Sequence, residues 1–210
     1  LPDTYVISNI ATAYAGATVS DLPDAQTLLV INGAENAADY TYSLSDVKAH
    51  LLDPSAAQAV TDADSVVATD ALTAAEAVDL YALNNNSTYT VEDTVANILT
   101  EYQTDTAPFA NATSWTLDDG AGSLTPSLAD AEDTAAVVNG ATNAGDYTIE
   151  VSDTAGNIET EIGNGADLSG VDSIEHTSVN ANGSAQGVSG VADTFVFAGA
   201  ADATISGFTD

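Results

Sequence analysis

The chain has 210 residues, 45% of them hydrophobic, which is enough for one sizeable domain or two small ones with an apolar core. Its 32 acidic residues accompany a single basic residue, Lys48, and the resulting net charge of -31 excludes nucleic acid and anionic membranes as partners. Cysteine is absent, which excludes disulfides and thiolate metal sites, and no apolar run has the ~18 residues that membrane insertion requires.

A phrase of seventeen residues occurs twice along the chain. VINGAENAADYTYSLSD at 30–46 and VVNGATNAGDYTIEVSD at 137–153 are identical at eleven positions. The Asn-Gly pairs at Asn32-Gly33 and Asn139-Gly140 favour tight turns, because both residues tolerate a positive φ. Ala135 to Val138, just before the second pair, is interpreted as an extra strand.

The end of this phrase recurs more often than the whole, as an alternating segment that closes on aspartate. Alternation of apolar and polar residues with period two predicts short, half-buried strands. The closing aspartates follow each other at intervals of 24, 23, 26 and 34 residues. In chain order the segments are YSLSD ending at Asp46, VVATD at Asp70, YTVED at Asp93, WTLDD at Asp119 and IEVSD at Asp153.

Helical spacing of apolar residues follows these aspartates. Val47 with Leu51 is one example, and the longest predicted helix covers 70–83. Aspartate is a favoured N-cap worth ~1 kcal/mol, so one hypothesis is that each closing aspartate caps the helix that follows it. The alternative is that the aspartates bind a metal ion.

A strand, an aspartate cap and a short helix repeating every twenty-odd residues are typical of a coiled repeat protein. The sequence therefore predicts a mixed, β-rich repeat fold of parallel β-solenoid-like coils. From about residue 166 the chain becomes rich in Gly, Ser and Asp, and an all-β segment is expected there. The predicted domains are a first strand-helix block at 1–110, a second at 111–165 and the C-terminal segment at 166–210.

The C-terminal run DTFVFAGAADATISGFTD resembles the segment that closes many haemolysin-type calcium-binding (RTX) proteins. YTVEDTVANI at 89–98 and YTIEVSDTAGNI at 147–158 look like repeats of large secreted adhesins and S-layer-like proteins. The resemblance implies export, extracellular calcium and a structural or adhesive role on a bacterial surface. The residues that match the C-terminal segment are Asp193, Thr194, Phe195, Phe197, Asp202, Ile205 and Phe208.

Calcium is the expected cofactor, because aspartate outnumbers glutamate by 23 to 9 and oxygen ligands suit Ca²⁺. The chain lacks the G-G-x-G-x-D nonapeptide and an EF-hand loop, so isolated carboxylates would have to supply the ligands. An acidic surface adapted to salt, without specific ion sites, is the alternative. The candidate ligands are Asp46, Asp93, Asp118, Asp119, Asp153, Asp193 and Asp202.

Catalytic residues are not predicted. The two histidines, His50 and His176, lie outside any hydrolase motif and are expected to be ordinary surface or half-buried side chains. Sugar-cleaving enzymes need cationic or aromatic groups that hold the substrate, but Lys48 is the single cation and Trp115 the single tryptophan. At a strand position Trp115 is expected to pack between repeats.

These observations favour a noncatalytic extracellular structural protein on a bacterial cell surface. We expect it to associate with itself in a surface layer, a filament or an adhesin stalk, with calcium stabilising the contacts between carboxylates. The alternative is a module that binds a cell-surface glycan or a receptor.

Overall fold

A computed structural model of the chain describes residues 43–179, 184–197 and 204–206. The described residues form seven α-helices and eleven β-strands. The helices are α1 (Lys48–Leu51), α2 (Ala57–Asp62), α3 (Ala74–Leu83), α4 (Val95–Thr104), α5 (Ala107–Asn111), α6 (Ala131–Gly140) and α7 (Ala155–Asn164). The strands are β1 (Ser43–Asp46), β2 (Ser65–Ala68), β3 (Ser87–Thr88), β4 (Thr90–Asp93), β5 (Ser114–Leu117), β6 (Gly122–Leu124), β7 (Tyr147–Thr154), β8 (Ser173–Val179), β9 (Ser184–Gln186), β10 (Ala192–Phe197) and β11 (Thr204–Ser206).

The predicted fold class, a β-rich parallel β-solenoid, is wrong. The described residues form a mixed α/β structure with parallel sheets, 40% helical and 30% strand. The structure has more helices than the sequence pattern predicts, and the clearest difference concerns Ala135 to Val138, which lie inside α6 rather than in a strand. Valine has a low helix propensity, but Val137 and Val138 are buried, and their packing outweighs that small cost.

The chain forms two compact units. Among the described residues, the first unit contains 43–93 and Thr104–Trp115, and the second contains Thr94–Gln103 and everything from Thr116 onward. The predicted division into 1–110, 111–165 and 166–210 stays a prediction from the sequence.

In the first unit, β1, β2 and β3 form a parallel sheet in that order. Ser43 aligns with Ser65 and Val66 aligns with Ser87, so neighbouring strands come from segments 22 and 21 residues apart. Leu44 and Val66 are aligned on the buried face of this sheet. The strands predicted at YSLSD, VVATD and YTVED are confirmed as β1, β2 and β4.

In the second unit, the main sheet has the order β10-β8-β7-β6, and all its pairs are parallel. Val151 aligns with Ile174, which aligns in turn with Asp193, again at offsets near twenty residues. Tyr147, Ile149 and Val151 face the core at every second position of β7, as the alternation in the sequence predicts. A smaller parallel pair joins β9 to β11.

Threonines, and not the closing aspartates that precede them, cap the helices α3 and α7. Thr73 caps α3 in a capping box with Glu76, and Thr154 caps α7 by accepting a hydrogen bond from the Asn157 amide. The prediction that each closing aspartate caps its own following helix is therefore wrong. After Asp70 the chain continues in an extended conformation, in which Leu72 forms a bridge with Val91, and the helix begins only at Ala74.

No helix within the described ranges has both the length and the apolar character needed to cross a membrane.

Candidate functional site

Two closing aspartates of the first unit, Asp70 and Asp93, contact the helix of the preceding repeat. Asp70 Oδ1 accepts a hydrogen bond from the backbone N of Lys48 at 2.7 Å, and Asp93 Oδ2 accepts one from the backbone N of Ala74 at 3.0 Å. Lys48 and Ala74 are the first residues of α1 and α3. Each carboxylate thus reaches back 22 or 19 residues along the chain, to the N-terminus of the earlier helix.

The second unit repeats this contact. Asp119 Oδ2 accepts a hydrogen bond from the backbone N of Val95, the first residue of α4, which lies 24 residues earlier. Backbone N–H groups in the first turn of a helix lack partners within the helix, and the positive end of the helix dipole favours a carboxylate there. Three helices are therefore completed at their start by an aspartate of the following repeat. We call these contacts the inter-repeat caps.

Two of the predicted calcium ligands act within their own repeat instead. Asp46 Oδ1 accepts from the backbone N of Val47 at 2.8 Å and lies 3.0 Å from His50 Nδ1. Asp153 Oδ1 accepts from the backbone N of Thr154 at 2.6 Å and from Asn157 Nδ2 at 2.7 Å. Both carboxylates thus bond to the chain at the end of their own strand or just beyond it.

The candidate calcium ligands do not gather into a metal site within the described residues. No group of three or more His, Asp and Glu side chains there is placed to hold an ion. Calcium takes six to eight oxygen ligands, whereas backbone and side-chain N–H groups engage the carboxylates of Asp93, Asp119 and Asp153. Asp118 is an exposed chain neighbour of Asp119, and Asp202 lies outside the described residues. The described residues therefore do not fit a coordinated calcium ion, and calcium stays a prediction.

Asparagine side chains form a second set of contacts between repeats in the first unit. Asn84, which is buried, donates from Nδ2 to the carbonyl oxygens of Val60 at 2.8 Å and Ala63 at 2.7 Å. Asn111 donates in the same way to the carbonyl oxygens of Asn85 at 3.0 Å and Ser87 at 2.6 Å. Each amide thereby satisfies backbone carbonyls of the repeat before it.

The second unit has equivalent asparagines, and they belong to the repeated phrase. Asn143 exchanges two hydrogen bonds with the backbone of Leu117, accepting from its N at 3.0 Å and donating to its O at 2.9 Å. Asn139 donates to the carbonyl oxygen of Gly170 at 3.0 Å. A turn is the structure predicted for this phrase, and that prediction does not include these bonds, although the recurrence of the same asparagines at two places in the chain indicated a common role.

His176 and Asp193 form a buried pair in the second unit. His176 Nε2 lies 2.7 Å from Asp193 Oδ1, and the two side chains are 0% and 3% exposed. Phe195 stacks on the imidazole with ring centroids 4.4 Å apart. The prediction of a surface or half-buried His176 is wrong, because the His176 side chain lies on the buried face of its sheet, at a position of β8.

Neighbouring backbone groups closely surround the carboxylate of Asp193. Asp193 Oδ2 accepts a hydrogen bond from the backbone N of Val188 at 2.8 Å. A Cβ on Gly187 would lie only 2.7 Å from the same oxygen, so a larger residue at this position would have to displace the carboxylate. Both side chains are almost fully buried among the described residues, at 0% and 3% exposure.

Lys48 forms an ion pair in the first unit. Its Nζ lies 2.8 Å from Glu76 Oε2, which also accepts from the backbone N of Thr73. The hydrogen bond with Glu76 raises the pKa of Lys48 above its ordinary value. Partial burial alone would raise the pKa of Glu76, but the hydrogen bonds from Lys48 and Thr73 outweigh it and lower that pKa.

No family model, curated protein or solved structure matches this chain.

Proposed function

We propose that the protein is a noncatalytic, extracellular structural component of a bacterial surface, which associates with itself in a layer, a filament or a stalk. The observation that carries this proposal is the series of inter-repeat caps from Asp70, Asp93 and Asp119. These bonds use the repeated residues to join consecutive repeats, and in a repeat protein contacts between neighbouring repeats supply much of the stability.

Two further features support a structural role. The asparagine contacts of Asn84 and Asn143 also join segments about a repeat apart and end on backbone atoms, so they leave few polar groups for a substrate. The His176–Asp193 pair, whose chemistry could serve acid-base catalysis, is closed to solvent. The absence of cysteine suits a chain that needs neither disulfides nor a reducing compartment.

Electrostatic repulsion between copies opposes self-association of this chain. A net charge of -31 repels a second copy unless cations gather at the surface, and this repulsion weakens as salt shortens the Debye length to about 10 Å at 0.1 M. Assembly is therefore expected to grow with ionic strength. A calcium-specific effect would exceed that of sodium or magnesium at the same ionic strength.

Light scattering and thermal melting test the proposal. The protein is measured in EGTA, calcium chloride, magnesium chloride and sodium chloride at one ionic strength, and then across a sodium chloride series. Larger particles at higher ionic strength support a self-associating structural protein, and a greater effect of calcium supports the predicted cofactor. A monomer of constant size and melting temperature in every condition would contradict the proposal.

Asp93→Ala serves as the structural variant, with Glu92→Gln on the exposed side of β4 as its charge-matched control. Both changes remove one negative charge, but only the first removes an inter-repeat cap. If the caps support assembly, Asp93→Ala lowers the melting temperature and the particle size while Glu92→Gln leaves both near those of the parent. Equal behaviour of the two variants would show that charge alone matters.

One observation favours glycan binding as a second candidate function. An open groove of about 300 Å³ in the second unit is lined by Ser127, Asp153, Asn157, Thr160 and Glu161, whose hydroxyl, amide and carboxylate groups suit sugar hydroxyls. A glycan array tests it directly. Selective hits that disappear in Asn157→Ala support glycan recognition, and the absence of any selective hit contradicts it.

A further inference from the structure

The turn between α1 and α2 contains the one Asp-Pro bond of the chain, which joins Asp53 to Pro54. Asp53, Pro54 and Ser55 are exposed, whereas Leu51 before them and Ala56 after them are buried. Water therefore reaches this peptide bond, while the chain on both sides of it is anchored in the core of the first unit.

Contacts across the turn hold its two ends close together. On the N-terminal side of the turn, β1 pairs with β2, which lies on the C-terminal side. The backbone N of Lys48 also donates to Asp70, and Lys48 Nζ pairs with Glu76. The Asp53–Pro54 bond thus lies in a short loop between segments that are already joined to each other.

The carboxylate of Asp53 is oriented by Ser55. Its Oδ1 accepts hydrogen bonds from the backbone N of Ser55 at 2.8 Å and from Ser55 Oγ at 2.5 Å. A side-chain oxygen reaches the amide two residues further on only when it is turned toward the carbonyl side of its own residue. The hydroxyl and then the amide of Ser55 lower the pKa of Asp53 below its ordinary value, and the charge of His50 acts in the same direction. A carboxylate ion is therefore present beside the peptide carbonyl in mildly acidic solution.

The carbonyl group of Asp53 is polarised for attack. Its oxygen accepts a hydrogen bond from the backbone N of Ala56 at 2.8 Å. Such a donor stabilises the negative charge that develops on the oxygen when a nucleophile adds to the carbonyl carbon. The leaving group is the nitrogen of Pro54, a tertiary amide nitrogen without a hydrogen, which is more readily protonated than the nitrogen of an ordinary peptide bond.

We propose that the folded chain cleaves itself at the Asp53–Pro54 bond. The Asp53 carboxylate adds to the carbonyl carbon of its own residue, the C–N bond to Pro54 breaks, and the Pro54 nitrogen leaves with a proton from the solvent. The product is a cyclic anhydride at Asp53, and one water molecule opens it to give two carboxyl groups. The net reaction is the hydrolysis of one peptide bond.

Each chain undergoes this reaction once, because the reaction consumes the bond that carries it. It is therefore distinct from the turnover of an enzyme, and it goes beyond the proposed structural function. The products are the fragments 1–53 and 54–210. Since the pairing of β1 with β2 crosses the cut, the fragments are to be separated under denaturing conditions.

Mass spectrometry of the full chain after incubation at pH 5 and 37 °C tests the proposal, with a capped synthetic peptide of residues 48–60 as the unfolded reference. The expected products are two fragments whose masses add up to that of the parent plus one water, the second beginning at Pro54. Because the fold holds the reacting groups in place, the chain should be cleaved at least about fivefold faster than the peptide. Absence of these fragments overturns the proposal, and so does a peptide that is cleaved as fast as the chain.

Three single variants test the individual groups. Asp53→Asn keeps an oxygen for the Ser55 donors but removes the carboxylate nucleophile, and about tenfold slower cleavage is expected. Ser55→Ala removes the hydroxyl that orients the carboxylate, and about threefold slower cleavage is expected. Ser55→Thr restores a hydroxyl and should recover the rate of the parent, which identifies Ser55 as a positioning residue.

Asp64→Asn is the matched control, since it removes one exposed carboxylate outside the turn and should leave the rate near that of the parent. Equal slowing in Asp64→Asn and Asp53→Asn overturns the proposal, as does an unchanged rate in Ser55→Ala. Circular dichroism at pH 5 establishes that each variant is folded. The comparison of the parent chain with the peptide decides the question even if a variant does not fold.

Discussion

The chain contains two histidine–aspartate pairs of the same chemistry in different surroundings. In the first unit, His50 Nδ1 lies 3.0 Å from Asp46 Oδ1, and the side chains are 58% and 8% exposed. In the second unit, His176 Nε2 lies 2.7 Å from Asp193 Oδ1, and the side chains are 0% and 3% exposed. Only the second pair has an aromatic ring stacked on the imidazole and a glycine that makes room for the carboxylate.

The difference indicates that burial, more than pairing, determines how much a polar contact contributes to the stability of this fold. In a pair such as His50–Asp46, the mostly exposed imidazole replaces good hydration with an interaction of similar strength. In the core, removing either partner leaves a desolvated polar group without compensation. The contacts of the chain can therefore be ranked by exposure, and the following substitutions test that ranking from the largest expected effect to the smallest.

Asp193→Ala should destabilise the protein most, by about 3 kcal/mol, because it leaves His176 Nε2 and the Val188 amide without their acceptor. Urea unfolding followed by circular dichroism measures the change. A loss below about 1 kcal/mol would contradict the importance assigned to burial.

The double variant His176→Leu/Asp193→Leu is the matched control for this pair. Replacing both members of a buried polar pair by apolar residues often costs little. The double variant should therefore be more stable than Asp193→Ala. If it is less stable, the pair contributes more through its specific geometry than through mutual satisfaction.

Asp93→Ala should have an intermediate effect of about 1 kcal/mol, since it removes the inter-repeat cap of the Ala74 amide while water can reach part of the site. Asp93→Asn keeps a side-chain oxygen and should recover most of the loss. Thermal unfolding of both variants beside Glu92→Gln measures the effect. Equal destabilisation by the Ala and Asn variants would argue against a capping role.

Glu76→Gln tests a contact that is one-third exposed. The pKa of Glu76 lies below its ordinary value of 4.5 in the folded chain, so its ionised form stabilises the fold above that pH. This stabilisation is lost as the pH falls below 4.5 and through the lowered pKa. The parent should therefore lose more stability than Glu76→Gln between pH 5 and pH 3 in urea titrations, by a few tenths of a kcal/mol. Parallel pH profiles would contradict the assignment.

His50→Ala should have the smallest effect, within about 0.5 kcal/mol, because its partner Asp46 keeps the Val47 amide and the imidazole is mostly hydrated. Urea unfolding at pH 7 measures it. A loss comparable with that of Asp193→Ala would remove the basis of the comparison.

Local structure was predictable from the sequence where a single segment determines it. Alternation revealed strands such as β4 and β7, because one face of each is buried and the other is solvated. Helix α6 was missed because its run of alanine and valine fits either element, and packing of Val137 and Val138 decided between them. Because such helices were missed, a β-solenoid was predicted where the structure is mixed α/β.

Contacts between segments were not predictable, because they depend on register. The sequence showed that aspartates recur, and local capping was the simplest explanation, but threonines such as Thr73 occupy that position. The partner of Asp93 is the amide of Ala74, 19 residues earlier, and only the alignment of neighbouring segments reveals it. The pairing of His176 with Asp193 was hidden for the same reason, although both residues had been singled out separately.

Each inter-repeat cap links an aspartate to a helix that lies earlier in the sequence. Helix α1 receives the Asp70 carboxylate only after 22 further residues have been made, and α3 and α4 wait in the same way for Asp93 and Asp119. A chain that emerges from the ribosome N-terminus first therefore finishes these three helices one repeat late. Cutting such a chain between a helix and its next aspartate leaves the newest helix incomplete, so stable fragments should end just after a closing aspartate and not before it.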